Sequence, residues 1–510
     1  MPTRPGIPFW LDCQPPVEFP AVNTDMDVDV AIVGAGIVGL HAAYELRQSG
    51  LSVAVYEARQ IGRQATGRST AKVSSQHGLK YGSLIRDFGR DKAKLYADAN
   101  QAAITKIVGI SSSLPENAGP EDKPAYLYAE SAQQLDHIEA EEEAASSLGL
   151  PAELLPSAGL PFETYGALRF AGQYQFDPYL YLSGLAQLVA EAGISVFERS
   201  RVVEVEDGPP YRLSVNRSKV TAGKVIVATQ MPVAGDGLFF AKAFPFAHPV
   251  AAVPLAQDMQ IEGMFLSAGN PSHSFRTATR DGKPYLIAAG GEFKIGEQGA
   301  ASEAIADLLA CLKRSFGGDD PTHLWINEDF RPMDGMAFVG PATSGKPDLL
   351  VATGFNAWGI TQGAVAGEIL AARILEKIHP CADLYDATRV KPVAGGPTFV
   401  MENVKTAAHL AGERLLGSRI SKLADIAQGE GGVIRHKGEQ LAVLKDADGA
   451  VTARSAICTH LGCVVGWNAI DRTWDCSCHG SRFDADGAVL SGPATAPLEA
   501  RALAGAKTRS

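Results

Sequence analysis

Two short cysteine–histidine segments near the end of the chain restrict what that region can become. They read Cys458-Thr-His460-Leu-Gly-Cys463 and Cys476-Ser-Cys478-His479-Gly-Ser481. The pattern is Cys-x-His followed by Cys-x2-His, with fifteen residues between His460 and Cys476. That spacing lets two short loops clamp one metal group from opposite sides. Two thiolates and two imidazoles suit tetrahedral zinc, which is one reading. The other is a two-iron cluster, with the thiolates of Cys458 and Cys476 on one iron and the imidazoles of His460 and His479 on the other.

The whole stretch resembles a Rieske [2Fe–2S] domain of the subclass found in cytochrome bc complexes. The resemblance implies Cys458, His460, Cys476 and His479 as ligands and a Cys463–Cys478 disulfide tying the two loops. It implies that Ser481 hydrogen-bonds a bridging sulfide and that Gly492-Pro493 belongs to a loop covering the cluster's third side. Gly462 and Gly480 would let the backbone approach the inorganic sulfides. Phe483 stands where the subclass usually carries a tyrosine hydroxyl, which should lower the potential relative to those relatives. Such clusters lie at roughly −150 to +300 mV and pass one electron at a time. An all-β domain over 418–505 is expected, with strands such as Gln440–Leu444 and Ala453–Ile457.

The chain has 510 residues. That is enough for about three units at ~150 residues each. A net charge of −11 argues against nucleic acid and against anionic membrane surfaces as partners. Cys13, Cys311 and Cys381 are scattered, unlike a secreted disulfide framework. The start, Met-Pro-Thr-Arg-Pro-Gly-Ile-Pro-Phe-Trp, lacks the apolar core of a signal peptide. No apolar run reaches the ~18 residues of a membrane span. A cytoplasmic location is expected, where a disulfide would need shielding by the cluster fold.

Residues Asp27 to Glu57 read strand, turn, helix, strand. Val28, Val30, Ile32 and Val33 form a buried strand, and Gly34-Ala-Gly36-Ile-Val-Gly39 follows at once. Gly34 permits the tight turn, Gly36 lets a pyrophosphate approach the backbone, and Gly39 lets helix and strand pack closely. The helix N-terminus supplies N–H donors to the phosphates. Glu57, 18 residues beyond Gly39, can accept both ribose hydroxyls. A dinucleotide site follows; a plain glycine-rich turn is the alternative.

The next segment, Gly62-Arg-Gln-Ala-Thr-Gly67-Arg68-Ser69-Thr70-Ala71-Lys72, resembles the second glycine-containing loop of the D-amino-acid oxidase family, the flavoproteins that include glycine oxidase. Residues 169–230 resemble the family's second FAD segment. Ala352-Thr-Gly354-Phe-Asn356-Ala-Trp358-Gly359-Ile-Thr361 opens a helix whose N-terminus should face the flavin pyrimidine. The resemblance implies FAD, with Arg68, Ser69 and Thr70 on its flavin side and the backbone near Val202 and Val203 at the adenine. Gly354, Asn356, Gly359 and Thr361 would serve the flavin end. No cysteine lies between 325 and 360 to tether the ring, so FAD should be noncovalent.

The expected architecture is an α/β FAD-binding domain of the Rossmann-like, glutathione-reductase type, interleaved with an antiparallel α+β substrate domain and followed by the all-β Rieske domain. The FAD pieces are expected at 26–111, 168–235 and 326–378, and the substrate pieces at 112–167 and 236–325. A linker with a helix should fill 379–417. The Ala-, Glu- and Gln-rich run 129–148 reads as a solvated helix.

The arrangement resembles bacterial fusions of a glycine-oxidase-type flavoprotein with a Rieske domain, and the flavin part resembles gamma-glutamylputrescine oxidase. It implies a dehydrogenase that oxidises a C–N bond of a small amine or amino acid. Electrons would leave through the cluster to a one-electron acceptor protein or quinone. Lys72, His77 and Arg276 are the candidate catalytic or substrate-binding residues. For His77 a satisfied core histidine, and for Arg276 a solvated strand arginine, are the plain alternatives. A reductase driven by NAD(P)H would need a second nucleotide fingerprint, and none is seen between 60 and 400. A redox sensor without catalysis is the remaining alternative.

Overall fold

The computed structural model describes residues 2–114, 119–257, 259–297, 299–317, 320–390, 396, 400–401, 403–404 and 422–503. Three bodies are built from separate sheets. The first is a sheet of eight strands whose centre is Met26–Val33, flanked by Val53–Tyr56 and by Ser218–Val227, all parallel. Val30 to Val33 are at most 4% exposed, as expected for strands covered on both faces. The helix Ile37–Leu46 covers one face and packs on the late helix Gly359–Ile374. The crossing is close because Gly363 and Gly367 lack side chains: a Cβ there would meet Ile37 Cγ2 at 2.5 Å or His41 Cβ at 2.6 Å.

The second body is a nine-stranded, mostly antiparallel sheet. Its strands run Arg4–Pro5, His323–Pro332, Ala243–Pro254, Lys283–Ala289, Ser274–Arg280, Met264–Ser267, Ala125–Ala129, Gly166–Phe170 and Ala152–Leu155 in spatial order. The boundaries expected at 168 and 326 both fall inside strands of this sheet, Gly166–Phe170 and His323–Pro332. Hydrophobic runs alone do not say which sheet a strand joins, so both crossings were misplaced by a few residues.

The Ala/Glu/Gln run forms the helix Ala132–Ser147, capped by Ser131 Oγ accepting from Gln134 N–H. It is mostly solvated, but Glu141 is buried. Its carboxylate accepts the N–H groups of Lys80, Tyr81 and Gly82 and so caps the neighbouring helix Tyr81–Phe88. The linker helix expected over 400–415 lies largely outside the described residues.

The third body is all-β. A three-stranded sheet, Gly431–His436, Glu439–Lys445 and Val451–Ser455, is followed by a four-stranded one, Val465–Asn468, Thr473–Cys476, Arg482–Asp484 and Val489–Ser491. No described helix is long and apolar enough to cross a membrane.

Candidate active site and cluster centre

The turn after the central strand builds a cradle. Gly34 takes φ +102°, and a Cβ there would meet Ala228 O at 2.6 Å. A Cβ on Gly39 would meet Gly34 O at 1.9 Å, so helix and turn touch backbone to backbone. Gly36 differs: an added Cβ would meet only Thr66 Oγ1, at 3.5 Å, and the residue faces a large cavity. Gly36 gives the helix Ile37–Leu46 no side-chain cap; the Ile37 N–H donates to Thr66 Oγ1 at 3.3 Å, and Val38, next in the helix, lines that cavity. Glu57 Oε2 accepts the Ala35 N–H and Oε1 the Arg59 N–H, both at 3.0 Å, so this acid also braces the loop. The cavity runs from Glu57 past Gly36 and Ser69 to Asp329 and Gly359. An elongated dinucleotide fits this set: an acid for the ribose, a glycine cradle for the phosphates and a second helix N-terminus at the far end. Gly36→Val is expected to yield a folded chain without flavin absorbance, because the new methyl groups occupy the cavity rather than protein. Gly39→Ala strikes the backbone and should cost about 3 kcal/mol or more in stability. Flavin content beside a melting curve separates the two outcomes.

A second cavity adjoins the first and shares Ser69, Ala357 and Ile360 with it. Thr70, Lys72, His248, Trp358 and Thr361 line it. Lys72 Nζ donates to Phe265 O at 2.7 Å and Ser274 Oγ at 2.6 Å. Neither is an acid, and no described carboxylate forms an ion pair with this lysine. Burial, helped by nearby Arg276, pushes its pKa down to about 7. At the rim Glu292 is paired with Arg331.

Several expected site residues stand outside both cavities. His77 is buried with both ring nitrogens satisfied: Nε2 donates to Ser74 O at 2.7 Å and Nδ1 accepts from Tyr96 Oη at 2.6 Å. Burial pushes its pKa down to about 3, and it stacks behind Trp358 rather than lining the cavity. Arg276 is buried rather than solvated: its Nη1 donates to Ala71 O and Phe176 O and its Nε to Thr277 O, so it clasps the backbone, and it lines neither cavity. Arg68 turns away from the flavin side and pairs with Asp471 of the third body. Val203 is 41% exposed, and Arg201 and Val202 line the cavity in its place. Gly354 (φ +78°) and Asn356 (φ 52°) shape the loop before Gly359 without lining either cavity. Thr70 and Thr361 belong to the second cavity, not the first.

In the third body, two like turns face each other. Cys458 O accepts the Gly462 N–H and Cys476 O the Gly480 N–H, each at 3.0 Å, and both glycines take φ +79°. The backbone N–H groups of His460 and Leu461 are directed at the Cys458 thiol, and those of Cys478 and His479 at Cys476. The two thiols lie within hydrogen-bonding contact of each other, and the two imidazole rings are 5.0 Å apart. A thiol pair beside an imidazole pair fits a two-iron cluster, with the thiols for one iron and the imidazoles for the other. His460 Nδ1 is buried without a protein partner, as a ligand atom would be. Cys463 and Cys478 form a disulfide that ties the turns. Cys476 Sγ lies within 4.8 Å of those two sulfurs, a consequence of the tie and not a further metal site. Ser481 Oγ accepts the Ala494 N–H at 3.0 Å and so joins the ligand turn to the loop after Gly492-Pro493.

This body is docked firmly on the other two. The ring of Phe240 meets both His460 and His479 edge-on at 4.9 Å. A Cβ on Gly480 would meet Glu328 Oε1 at 2.7 Å and Phe330 Cζ at 3.0 Å, so docking, not only a cofactor, demands glycine there. Glu328 is fully buried, accepts the Ser491 hydroxyl at 3.0 Å, and burial lifts its pKa to about 8. Asp471 accepts from Arg482 at 2.8 Å, from Arg68, and from the Ile326 N–H at 3.2 Å. Phe240, Glu328 and Asp471 are site-forming residues that sequence reasoning missed, since nothing local marks a residue that acts across a domain boundary.

The model of the family described as FAD dependent oxidoreductase (DAO) matches residues 29–373, and that of the Rieske [2Fe-2S] domain matches 418–502. A Rieske 2Fe-2S iron-sulfur protein of Bacillus subtilis (YhfW) is 32% identical over 96% of both chains. A cytochrome b6-f complex iron-sulfur subunit of Nostoc is 46% identical over 14% of this chain and 40% of its own. The fold is shared with glycine oxidase from Geobacillus kaustophilus, at TM-score 0.58, 18% identity, and coverage of 72% of this chain and 99% of that one. L-proline dehydrogenase from P. horikoshii is similar at TM-score 0.56, 17% identity and coverage of 72% and 98%. With the nucleotide cradle and the cluster turns in one chain, the protein belongs to the DAO family of FAD-dependent oxidoreductases and carries a C-terminal Rieske [2Fe–2S] domain.

Proposed function

We propose that this oxidoreductase acts as a dehydrogenase on a C–N bond of a small amine or amino acid and delivers the electrons through its Rieske centre to an external one-electron acceptor, a protein or a quinone. A bound flavin accepts a hydride and a Rieske cluster passes single electrons, which is the chemistry the two groups supply. The observation that carries the reading is the adjacency of three sites. The Lys72 cavity opens onto the dinucleotide cavity at Ser69, Ala357 and Ile360. Asn356, next to Ala357, donates its N–H to Phe330 O at 3.1 Å, and the Phe330 ring lies against Gly480 beside His479. The chain thus links substrate cavity and cluster turn through one loop and one strand. Anaerobic mixing with a panel of amines, amino acids and N-methyl amino acids tests this. A true substrate should bleach the flavin first and the cluster second; reduction of the cluster before the flavin would overturn the order.

Lys72 supplies a pH prediction. Its ammonium has no acidic partner, so an anionic group on a substrate or inhibitor would complete it. Its pKa, lowered to about 7, leaves it charged below that pH and neutral above. Binding of a carboxylate-bearing ligand should therefore be tight on the acid side and weaken as pH rises through about 7. Lys72→Met should abolish the trend. A Kd profile that is flat from acid to alkaline pH would remove Lys72 from that role.

A further inference from the structure

We propose that the Rieske segment Leu490–Gly492 is part of the FAD site, so that docking of this domain holds the dinucleotide in place. Leu490, Ser491 and Gly492 line the same cavity as Gly36, Glu57 and Val202, although more than 400 residues separate them from the glycine loop. The strand that carries them is fastened to the cavity wall at three points. Arg201 donates to Val489 O at 2.8 Å, Gln64 Nε2 to Leu490 O at 3.3 Å, and Ser491 Oγ to the buried Glu328 carboxyl at 3.0 Å. Gly492 is seated so closely that a Cβ there would meet Val233 Cγ1 at 2.7 Å. Of these anchors, Arg201, Gln64 and Val233 themselves line the cavity.

The consequence is a linkage. A ligand that binds only when the wall is in place stabilises the docked domain, and docking strengthens binding by the same factor. Cluster and FAD are then mutually dependent for retention, independently of which substrate the enzyme takes. The ligand turn is part of that chain of contacts, because Ser481 Oγ holds the Ala494 N–H just beyond the wall.

The test is the rate at which purified holoprotein releases FAD, read as the rise of free-FAD fluorescence after dilution, with iron and acid-labile sulfide measured on the same samples. Gly492→Ala should push the wall off Val233 and speed release by about tenfold, a typical coupling between sites. Val233→Ala removes the Cγ1 that the new methyl would strike, so the double variant should return toward the Val233→Ala rate. Arg68→Met breaks the ion pair to Asp471 without touching the cavity lining and should also speed release. In unmodified protein, amide exchange of 489–494 should slow when FAD is added back to the apoprotein. Unchanged release in both Gly492→Ala and Arg68→Met at full iron content would overturn the proposal, as would exchange of 489–494 that ignores FAD.

Discussion

A Cys476→Ser protein is expected to lose its iron and acid-labile sulfide and to feed a one-electron acceptor far more slowly than the parent. The drop should exceed the roughly 10–100-fold that changes around a metal's ligands produce. Cys476 is buried, its thiol contacts that of Cys458, two backbone N–H groups are aimed at it, and the nearby sulfurs of Cys463 and Cys478 are tied up in a disulfide. Substrate should still bleach whatever flavin remains bound, and rates must be expressed per bound FAD. Separation along the chain suggests that cluster loss would spare the flavin site. The shared cavity wall says otherwise, since Leu490 to Gly492 belong to both. Normal turnover of the iron-free variant with its natural acceptor would show that electrons leave by another route.

Arg482→Met is expected to cost about 3–5 kcal/mol of stability, the usual result of stripping one partner from a buried ionic cluster. Arg482 donates to Asp475 at 3.0 Å, to Asp471 at 2.8 Å and to Thr473 Oγ1 at 3.0 Å. The side chains of Arg482, Asp471 and Asp475 are 3–5% exposed, so the two carboxylates would be left buried with too little positive charge. Asp471 is also the partner of Arg68, so the loss would reach the docking surface. Denaturation followed by cluster absorbance should show an earlier transition. A shift worth less than about 1 kcal/mol, the value of an exposed pair, would mean that water reaches the cluster of charges.

Residues whose role is set by neighbours in sequence could be read from sequence. Gly34, Gly36 and Gly39 fall in one turn, and Cys458, His460, Cys476 and His479 in two short loops that face each other. The family resemblance carried the FAD assignment and the interleaving of domains. What sequence could not show is direction. Lys72 and Arg276 are both cations shielded from water, yet the part-buried Lys72 lines a cavity and the buried Arg276 clasps three carbonyls. Arg68 lies in the expected loop, but its side chain crosses to another domain. Val202 and Val203 are neighbours in one strand, and a break in register between Val202 and Glu204 leaves Val203 exposed while Val202 is buried. Such distinctions depend on contacts hundreds of residues apart, which no local pattern encodes.

The wall of the dinucleotide cavity also has a place in time. Chains emerge from the ribosome N-terminus first, at about 5–20 residues per second, and domains tend to fold as they appear. Leu490 to Gly492 come after the whole of the glycine loop, the second helix N-terminus and both ligand turns. Until they are made, the flavin half stands with one side open. Loading of FAD thus has a natural interval, between completion of the helix Gly359–Ile374 and arrival of the last strand, Val489–Ser491. FAD that arrives after that interval meets a cavity whose wall of Leu490 to Gly492 is already in place.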